Sequence, residues 1–457
     1  MGKAGPRSWG RVGHRDEAGT LTGVIPTIGI IGGGQLARMM DAAGIGLGLR
    51  VRLLAEGPDV SAAQVVADVT VGDYTHPETV FAFAAGCDVI TFDHEHVPQP
   101  ILRELLARGI AVRPGPDALR HAQDKIVMRD RLTSLGIPCP AYQAVDSPAE
   151  LIEFAERTGW PVIAKTSRGG YDGKGVWKLD GPLQAGEPFA SLAPGVRILA
   201  EEYIPFRREL SALVARRPHG EAVAYPISET VQTDGICTDT TTPAPGLPDD
   251  EAEEWQRFAL RIAEELDVVG ILAVELMEDP SGRVVVNELA MRPHNTGHWS
   301  IDGAVTSQFE NHLRAVADLP LGSAAPRANW SVMANVLGGP RGDLASGLIE
   351  VLALDPAIRV QLYGKSWVPG RKLGHVTAVG ADLDSTRARA RAAADLFMGV
   401  PVSSAAGAPA VVPAPAVIAA PSVIPAKAGI PPLATSSSGD TRLRGDDDDQ
   451  DEGSRNG

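Results

Sequence analysis

The sequence has few cysteines, no long apolar run and no excess of positive charge. Its 457 residues include three cysteines, Cys87, Cys139 and Cys237, which are far apart and show no metal-ligand spacing. Neither a disulfide framework nor a zinc site is indicated, so we expect a reducing, cytoplasmic location. No apolar run reaches the roughly 18 residues of a membrane-spanning helix, and residues 1–25 lack the apolar centre of a signal peptide. We expect a soluble protein without a membrane partner.

The charge is negative, and part of it lies at the end of the chain. The formal net charge of −15 argues against nucleic acid as the main partner. From Asp440 onward, seven acidic residues stand against three arginines, so four of the negative charges belong to this tail. The body of the protein is only moderately acidic.

The length and composition suggest several domains between two unstructured ends. The chain is too long for one ordinary core and long enough for two or three domains. Residues 1–26 are rich in glycine and charge without periodicity, which predicts a disordered leader. Residues 399–457 combine an Ala/Pro/Ser/Val mixture with an aspartate run, which predicts a disordered, low-complexity acidic tail.

The first structured segment reads as a βαβ unit with a glycine-rich turn. Residues 27–31 predict a strand, residues 35–43 a helix ended by Gly44, and residues 51–54 a second, parallel strand. The turn between them matches a dinucleotide-binding fingerprint only in its loosest form. Three interpretations stay open: an NAD(P) site with Glu56 on a ribose, another anion at the helix N-terminus, or simple packing.

A third predicted strand of this sheet ends in polar residues. Residues 88–92 predict a strand that runs into Asp93, His94, Glu95 and His96, at the edge where α/β sheets bind ligands. The two histidines share a strand face and could hold a metal, but the sequence offers no third ligand at the spacing that a metal site requires. We therefore favour Glu95 as an acceptor for a substrate hydroxyl. Further along, the period of residues 117–135 predicts one long helix.

A predicted hairpin carries two carboxylates among apolar residues. Residues 272–277 and 283–288 read as antiparallel strands joined by a turn centred near Pro280 and Ser281. In that register Glu275 faces Val286, and Glu288 is its diagonal neighbour on the same face. Two carboxylates so close need a cation between them, and oxygen ligands favour Mg²⁺ that shares phosphate oxygens. The alternative is a solvated hairpin edge whose acids face water.

A lysine and a glycine-rich loop follow another predicted strand. Residues 160–165 form an apolar run ending in Lys165, and residues 166–176 contain four glycines with Arg168 and Lys174. Such a loop can fold closely over an anion while the cations supply charge, although its spacing is not that of a P-loop. The alternative is a flexible solvent hairpin.

Three further groups of polar residues extend this pattern. Glu201 and Glu202, on a predicted strand at residues 198–204, could accept hydrogen bonds from an adenine or a ribose. Arg292 and His294 follow the hairpin and add a cation and an imidazole near the metal. The loops that contain Lys365, Arg371 and Lys372 could hold a phosphate, and a solvated basic surface would look the same. Residues 335–374 predict a smaller domain of short strands, closed by a helix at residues 386–398.

Together these residues resemble the ATP-grasp fold, and the body from Thr27 to Met398 resembles the N5-carboxyaminoimidazole ribonucleotide synthetase family. The motifs that carry the resemblance are residues 33–39, 169–175, 287–298 and 369–375. The resemblance implies an α/β fold, α+β in part, with an N-terminal Rossmann-like parallel-sheet domain at residues 27–120. A two-lobed ATP-grasp domain at residues 121–325 and a small, β-rich C-terminal domain at residues 326–398 would follow.

The resemblance also implies a reaction. Bicarbonate would attack the γ-phosphate of ATP, and the resulting carboxyphosphate, or CO₂ released from it, would carboxylate the amine of 5-aminoimidazole ribonucleotide, with release of ADP and phosphate. The cofactors would be ATP and Mg²⁺, which Mn²⁺ could replace. Phosphoryl transfer chiefly needs positioning and charge neutralisation, and a closed lid would protect carboxyphosphate from water. We also expect a homodimer.

The family's functional residues carry over to matching positions of this sequence. Metal ligands would be Glu275 and Glu288, and catalytic groups would be Lys165, Arg292, His294 and Lys365. The ribonucleotide would contact Gly34, Gln35, Glu95, Tyr171, Arg292, His294, Lys365 and Arg371. ATP would contact Lys125, Lys165, Gly170, Tyr171, Asp172, Gly173, Lys174, Gly175, Val176, Glu201, Glu202, Tyr203, Ile204, Glu209, Gln232, Asn287 and Glu288. Two departures keep a hydrogen-bond donor: Gln232 replaces a histidine of some members, and Lys125 replaces an arginine.

Three other functions compete with this one. A related ATP-grasp ligase, such as a formate-using glycinamide ribonucleotide transformylase, would keep the ATP residues but lack the ending at residues 371–375. An NAD(P)-dependent oxidoreductase would need a fuller glycine fingerprint. A silent binding or scaffold protein would be expected to have lost Glu275, Glu288 or Lys165, and all three are present.

Overall fold

The computed structural model describes residues 26–169, 175–190, 192–233 and 235–400. The expected leader and tail lie outside the described residues, apart from Pro26, Gly399 and Val400. Five residues of the glycine-rich loop, 170–174, also lie outside them. No helix within the described ranges is both long and apolar enough to cross a membrane.

The first sheet has five parallel strands in the order β3-β2-β1-β4-β5, which confirms the predicted parallel sheet. Its strands are β1 Thr27–Ile31, β2 Arg50–Ala55, β3 Asp68–Val71, β4 Val89–Phe92 and β5 Ala111–Val112. Helices cover both faces: α1 Gln35–Gly46, α2 Pro77–Ala84, α3 Gln99–Ala107, α4 Pro116–Gln123 and α5 Lys125–Ser134. Apolar strand residues such as Ile28 and Ile30 are fully buried, each worth roughly 1.5 to 3 kcal/mol.

Two helix predictions in this region were wrong in detail. Helix α1 continues past Gly44 to Gly46. The glycine at position 44 does not end the helix but packs closely against Leu313, since a Cβ there would lie 3.3 Å from the leucine Cδ1. The segment 117–135 forms two helices, α4 and α5. They separate at Asp124, whose extended backbone ends α4 and whose side chain accepts from the N–H groups of Ile126 and Val127, at 3.0 and 3.2 Å.

A small antiparallel sheet follows, with strand order β6-β9-β7-β8. Helix α6, Pro148–Thr158, covers one face, and the Ser147 hydroxyl caps it by accepting from Glu150 N. The strands are β6 Tyr142–Val145, β7 Val162–Thr166, β8 Val176–Leu179 and β9 Ile198–Glu202, with short 3₁₀ helices at Pro182–Gln184 and Glu187–Phe189.

The third sheet has nine antiparallel strands and contains the carboxylate hairpin at one edge. Its order is β15-β14-β10-β12-β13-β16-β18-β17, with β11 paired to β10. The strands are β10 Arg208–Arg216, β11 Ala222–Ala224, β12 Ser228–Thr233, β13 Ile236–Thr242, β14 Gly270–Glu278, β15 Val284–Ala290, β16 Trp330–Leu337, β17 Arg359–Leu362 and β18 Lys372–Gly380. Its helices are α7 Asp249–Glu265, α8 Ser300–Gly303, α9 Gln308–Val316, α10 Leu344–Leu354 and α11 Leu383–Met398, with a 3₁₀ turn at Asn295–Gly297.

The last strands of the chain extend this large sheet. β16 pairs with β13 across Asp239 and Ala334, so the predicted short C-terminal strands continue the sheet that holds the hairpin. Helices α10 and α11 cover one face of β16 and β18 with a separate apolar core. As a result, the loop that precedes β18 borders the same cavity as the hairpin.

Candidate active site

One cavity of about 1630 Å³ opens where the three sheets meet. Among the described residues, every predicted site residue lines it except Gly34. Gly170, Tyr171, Asp172, Gly173 and Lys174 lie outside the described residues. Residues far apart in the sequence, such as Gln35, Lys165, Glu288 and Arg371, therefore border one space.

The carboxylate hairpin differs from the predicted register. Glu275 lies directly opposite Glu288, not opposite Val286. The turn is centred on Ser281, since Asp279 N donates to Arg283 O at 2.9 Å, which accounts for one position of the difference. A β-bulge accounts for the other, because Leu276 pairs with Val286 and Asn287 is left without a partner on β14.

The bulge decides which way the second carboxylate points. With the register near the turn continued, Glu275 would face Asn287, and Glu288 would point to the other side of the sheet. The extra residue brings both carboxylates onto one face. This is a short-range feature that alternation of apolar and polar residues does not reveal.

The two acids fit a hard divalent cation. Burial raises the pKa of Glu275 well above its ordinary value, and the carboxylates of Glu288 and Glu209 add to the shift. A cation between Glu275 and Glu288 would remove this repulsion. The described residues contain no group of three or more His, Cys, Asp or Glu side chains able to hold a metal. Two carboxylates suit Mg²⁺, which commonly takes its other ligands from water and phosphate.

Lys165 is held at the edge of the cavity by two acceptors. Its Nζ lies 2.7 Å from Glu201 Oε2 and donates to Asn287 Oδ1 at 3.0 Å. The other carboxylate oxygen of Glu201 accepts from Arg129 Nε at 2.5 Å. Burial alone would raise the pKa of Glu201, but the charges of Lys165 and Arg129 outweigh it and lower the pKa to about 2. The network fixes an ammonium group beside the carboxylate hairpin.

The three predicted nucleotide carboxylates have different surroundings. Glu201 is buried in the network with Lys165. Glu202 also lines the cavity, and its carboxylate accepts from Ala141 N at 2.9 Å and from Arg283 Nη1 at 2.8 Å. Glu209 accepts from Gln232 Nε2 at 3.1 Å, and burial raises its pKa to about 7 although Lys165 acts in the opposite direction.

The side of the cavity next to the glycine-rich loop carries further cations. Lys125 Nζ donates to Gly169 O at 3.4 Å, and Arg168 Nε donates to Asp124 Oδ2 at 2.7 Å. Asp124 thus links the start of α5 to the loop. Gly175 and Val176, at the far end of the loop, also line the cavity.

The opposite end of the cavity gathers the second set of predicted residues. Arg292 Nε donates to Glu95 Oε2 at 2.7 Å, and Lys365 Nζ donates to Gln35 Oε1. Arg371 is exposed and donates to Ser366 Oγ at 3.0 Å.

His294 lies between this end and the hairpin. Its Nε2 is 3.4 Å from Glu275 Oε1, and its Nδ1 is 3.0 Å from Thr296 Oγ1. Burial and the charges of Arg292 and Lys372 lower the pKa of His294 to about 3, so the imidazole is neutral at pH 7.

The first glycine turn is occupied by the protein's own carboxylates. Gly33 N donates to Glu56 Oε2 at 3.0 Å, and Gly34 N donates to Asp93 Oδ2. Glu56 therefore contacts the turn itself, which weighs against a dinucleotide in this position. His94 stacks on His96 with ring centroids 5.2 Å apart and lies 3.4 Å from Glu56 Oε1.

Sequence reasoning missed two residues that shape the site. Arg129 is fully buried behind Lys165, and Gln308 is fully buried behind His294. Lys372, which the sequence placed in a phosphate-binding loop, lines the cavity. The helical period offered one signal: Arg129 lies on the same face of α5 as the buried Met128 and Leu132. Nothing local marks Gln308, because its contacts lie on another segment.

Three segments of the chain match known families. Residues 25–123 match the ribonucleotide synthetase preATP-grasp domain, residues 130–309 the ATP-grasp domain, and residues 331–389 the phosphoribosylaminoimidazole carboxylase C-terminal domain. These ranges contain strands of all three sheets.

Individual proteins are similar over most of the chain. The N5-carboxyaminoimidazole ribonucleotide synthase of Mycobacterium tuberculosis is 50% identical over 376 residues, which cover 81% of this chain and 87% of that protein. The crystal structure of the N5-carboxyaminoimidazole ribonucleotide synthetase from Thermus thermophilus has a TM-score of 0.73 at 37% identity, covering 82% of this chain and 99% of that one.

Two further structures of a similar enzyme contain ligands. The carboxyaminoimidazole ribonucleotide synthase of Aspergillus clavatus has been solved with ATP, and also with ADP and 5-aminoimidazole ribonucleotide. Both have TM-scores of 0.76, at 30% and 29% identity, and each covers 82% of this chain and 99% of that one.

Proposed function

This chain belongs to the N5-carboxyaminoimidazole ribonucleotide synthase family of ATP-grasp ligases, and we propose that its central cavity carries out the family's reaction with the residues described above. The enzyme carboxylates 5-aminoimidazole ribonucleotide in purine biosynthesis at the expense of ATP. One observation supports the assignment of residues most strongly. Lys165, the Glu275–Glu288 pair and the Arg292–Glu95 pair border the same cavity, although three separate sheets supply them.

We assign the ATP half of the cavity to the small sheet and the hairpin. The main chain of residues 202–204 would contact adenine, and Glu209, oriented by Gln232, would accept from ribose hydroxyls. Lys165 and Lys125 would lie on the phosphates, together with the glycine-rich loop. This division supplies apolar contact at the base and positive charge at the phosphates, which phosphoryl transfer requires.

We assign Mg²⁺ to Glu275 and Glu288. The direct opposition of these carboxylates and the raised pKa of Glu275 fit a bound divalent cation. The amide oxygen of Asn287, the residue next to Glu288, accepts a hydrogen bond from Lys165. When bound, the ion would neutralise charge on the phosphate oxygens. The positions of the two carboxylates would determine where the positive charge of the ion lies.

We assign the ribonucleotide to the opposite end. Lys365 and Arg371 would hold its phosphate, and Gln35 and Ser366 orient these two cations. Arg292, fixed by Glu95, and His294 would border the imidazole ring. Gly34 contributes indirectly, since its N–H is bound to Asp93.

Bicarbonate is the proposed source of carbon. One of its oxygens would attack the γ-phosphorus of ATP, the bond to the ADP oxygen would break, and carboxyphosphate would form. The exocyclic amine would then bond to the carboxyl carbon, phosphate would leave, and the amine would lose a proton. The departing phosphate would accept this proton, because the imidazole of His294, with a pKa of about 3, is the weaker base; His294 would border the reacting amine.

An ADP-release assay tests the proposal. Purified protein with ATP, Mg²⁺ and labelled bicarbonate should release ADP when 5-aminoimidazole ribonucleotide is added, in step with label transfer to the ribonucleotide. Lys165→Met should lose both signals. Equal ADP release without the ribonucleotide, or release supported by formate in place of bicarbonate, would contradict the assignment and favour another ATP-grasp ligase.

A further inference from the structure

Arg129 is a fully buried arginine that does not line the cavity. It lies on α5, and its guanidinium reaches two other elements. Its Nε donates to Glu201 Oε1 on β9 at 2.5 Å, and its Nη2 donates to the main-chain oxygen of Asn287 on β15 at 2.8 Å. One side chain therefore joins the small sheet to the edge of the large sheet.

The second of these contacts falls on the bulge. Asn287 is the extra residue of β15, and a bulged residue loses its place in the ladder of hydrogen bonds. Its oxygen accepts from Arg129 instead, and a buried carbonyl without a donor costs free energy. Arg129 thus satisfies the residue whose insertion turns Glu288 toward Glu275.

The contacts form a closed ring. Arg129 binds Glu201 and Asn287, and Lys165 binds the same two residues from the cavity side, through Glu201 Oε2 and Asn287 Oδ1. The planar guanidinium suits this task, because it presents donors in fixed directions to two acceptors at once. A lysine at this position would have to reach both acceptors from a single nitrogen atom.

We propose that Arg129 is a positioning residue for the metal pair: it holds the Asn287 bulge through the main-chain oxygen and thereby keeps Glu275 and Glu288 on one face. This inference rests on the proposed assignment of the metal to these two carboxylates. Loss of Arg129 would let the bulge relax toward the regular register, in which Glu288 points away. Indirect partners of metal ligands typically contribute roughly 10- to 100-fold to metal affinity.

Mn²⁺ titration in the presence of ADP, followed by electron paramagnetic resonance, measures the metal site without turnover. Arg129→Met should weaken Mn²⁺ binding by at least about tenfold. Arg216→Met is the matched control, because Arg216 is also buried and also binds a carboxylate and a main-chain oxygen, Asp267 Oδ1 and Val268 O, both at 3.0 Å and outside the cavity. It should bind Mn²⁺ as the wild type does.

Two further variants separate the possible failures. Glu288→Gln should abolish Mn²⁺ binding to the protein; if this variant binds Mn²⁺ like the wild type, the metal assignment is wrong and the inference about Arg129 is wrong with it. If Glu288→Gln loses the metal but Arg129→Met binds normally, the role of Arg129 alone is refuted. Arg129→Lys keeps the charge but presents its donors from a single nitrogen atom, so it covers the case in which Arg129→Met does not fold. It should weaken Mn²⁺ binding several-fold, and wild-type affinity would overturn the inference.

Discussion

Gln308 holds both main-chain polar groups of His294. Its Oε1 accepts from His294 N at 2.8 Å, and its Nε2 donates to His294 O at 2.7 Å and lies 3.0 Å from His298 Nδ1. Gln308 is fully buried at the start of α9, and its main-chain N–H donates to Ser300 Oγ. The direction of the His294 imidazole therefore depends on a residue fourteen positions later in the chain.

Replacing Gln308 should slow the reaction without weakening ATP binding. Gln308→Glu keeps an acceptor for His294 N but replaces the donor to His294 O with a second acceptor, so the segment should shift. We expect kcat to fall roughly 10- to 100-fold, the effect of a displacement of about 1 Å in a catalytic group. Steady-state kinetics with each substrate varied in turn measures this. Gln256→Glu, which disturbs a contact to Tyr225 O outside the cavity, is the control. A rise in KM for ATP with unchanged kcat would contradict the prediction.

Removing one carboxylate of the hairpin should abolish turnover and leave the fold intact. Glu288→Ala takes away one of two proposed ligands, and it also removes the repulsion between Glu288 and Glu275. ADP release should fall below detection, while the thermal unfolding midpoint without metal should not decrease. Glu253→Ala, at an exposed position on α7, should behave as the wild type in both assays. Unchanged turnover in Glu288→Ala would remove the metal assignment.

Arg371→Ala should affect the two nucleotides differently. A charge-assisted hydrogen bond to a phosphate is worth about 1.5 to 3 kcal/mol, so KM for 5-aminoimidazole ribonucleotide should rise roughly 10- to 100-fold. KM for ATP should change by less than about twofold, because Arg371 is placed at the other end of the cavity. Initial rates with one substrate saturating give both constants. Equal effects on both would refute the placement of Arg371.

His312 should make the fold sensitive to mild acid. Burial lowers its pKa to about 3, while its Nδ1 accepts from Ile271 N and its Nε2 contacts Thr91 Oγ1. Between pH 6.5 and pH 3 the unfolded chain binds a proton that the folded chain does not, so stability falls as the pH decreases. From pH 7 to pH 5 this residue should account for about 2 kcal/mol of lost stability.

Urea unfolding at both pH values tests this linkage. His312→Gln is less stable at pH 7 because it loses the contacts of the imidazole. Its apparent free energy of unfolding should nevertheless decline less than that of the wild type between pH 7 and pH 5. Parallel declines in the two proteins would show that His312 does not contribute.

Local patterns predicted most of the elements near the site. Alternating or continuous apolar runs located β1, β7 and β14, because burial on one or both faces constrains every second residue. Ser147 and Pro148 located the start of α6 through capping, which depends on neighbours in sequence. The same logic failed at residues 117–135, where Asp124 supports a second helix start as well as the ion pair with Arg168.

The sequence by itself determined the chemical groups and their order: the acids of the hairpin, the lysine at the end of β7, and the cations of the last loops. These follow from residue type and period, which act over a few positions. The tertiary structure alone decided how they meet. A bulge at Asn287 turns Glu288 toward Glu275, Arg129 reaches across from α5 to satisfy that bulge, and carboxylates fill the first glycine turn. Each of these depends on hydrogen-bond partners brought from distant segments, and a linear pattern does not specify such partners.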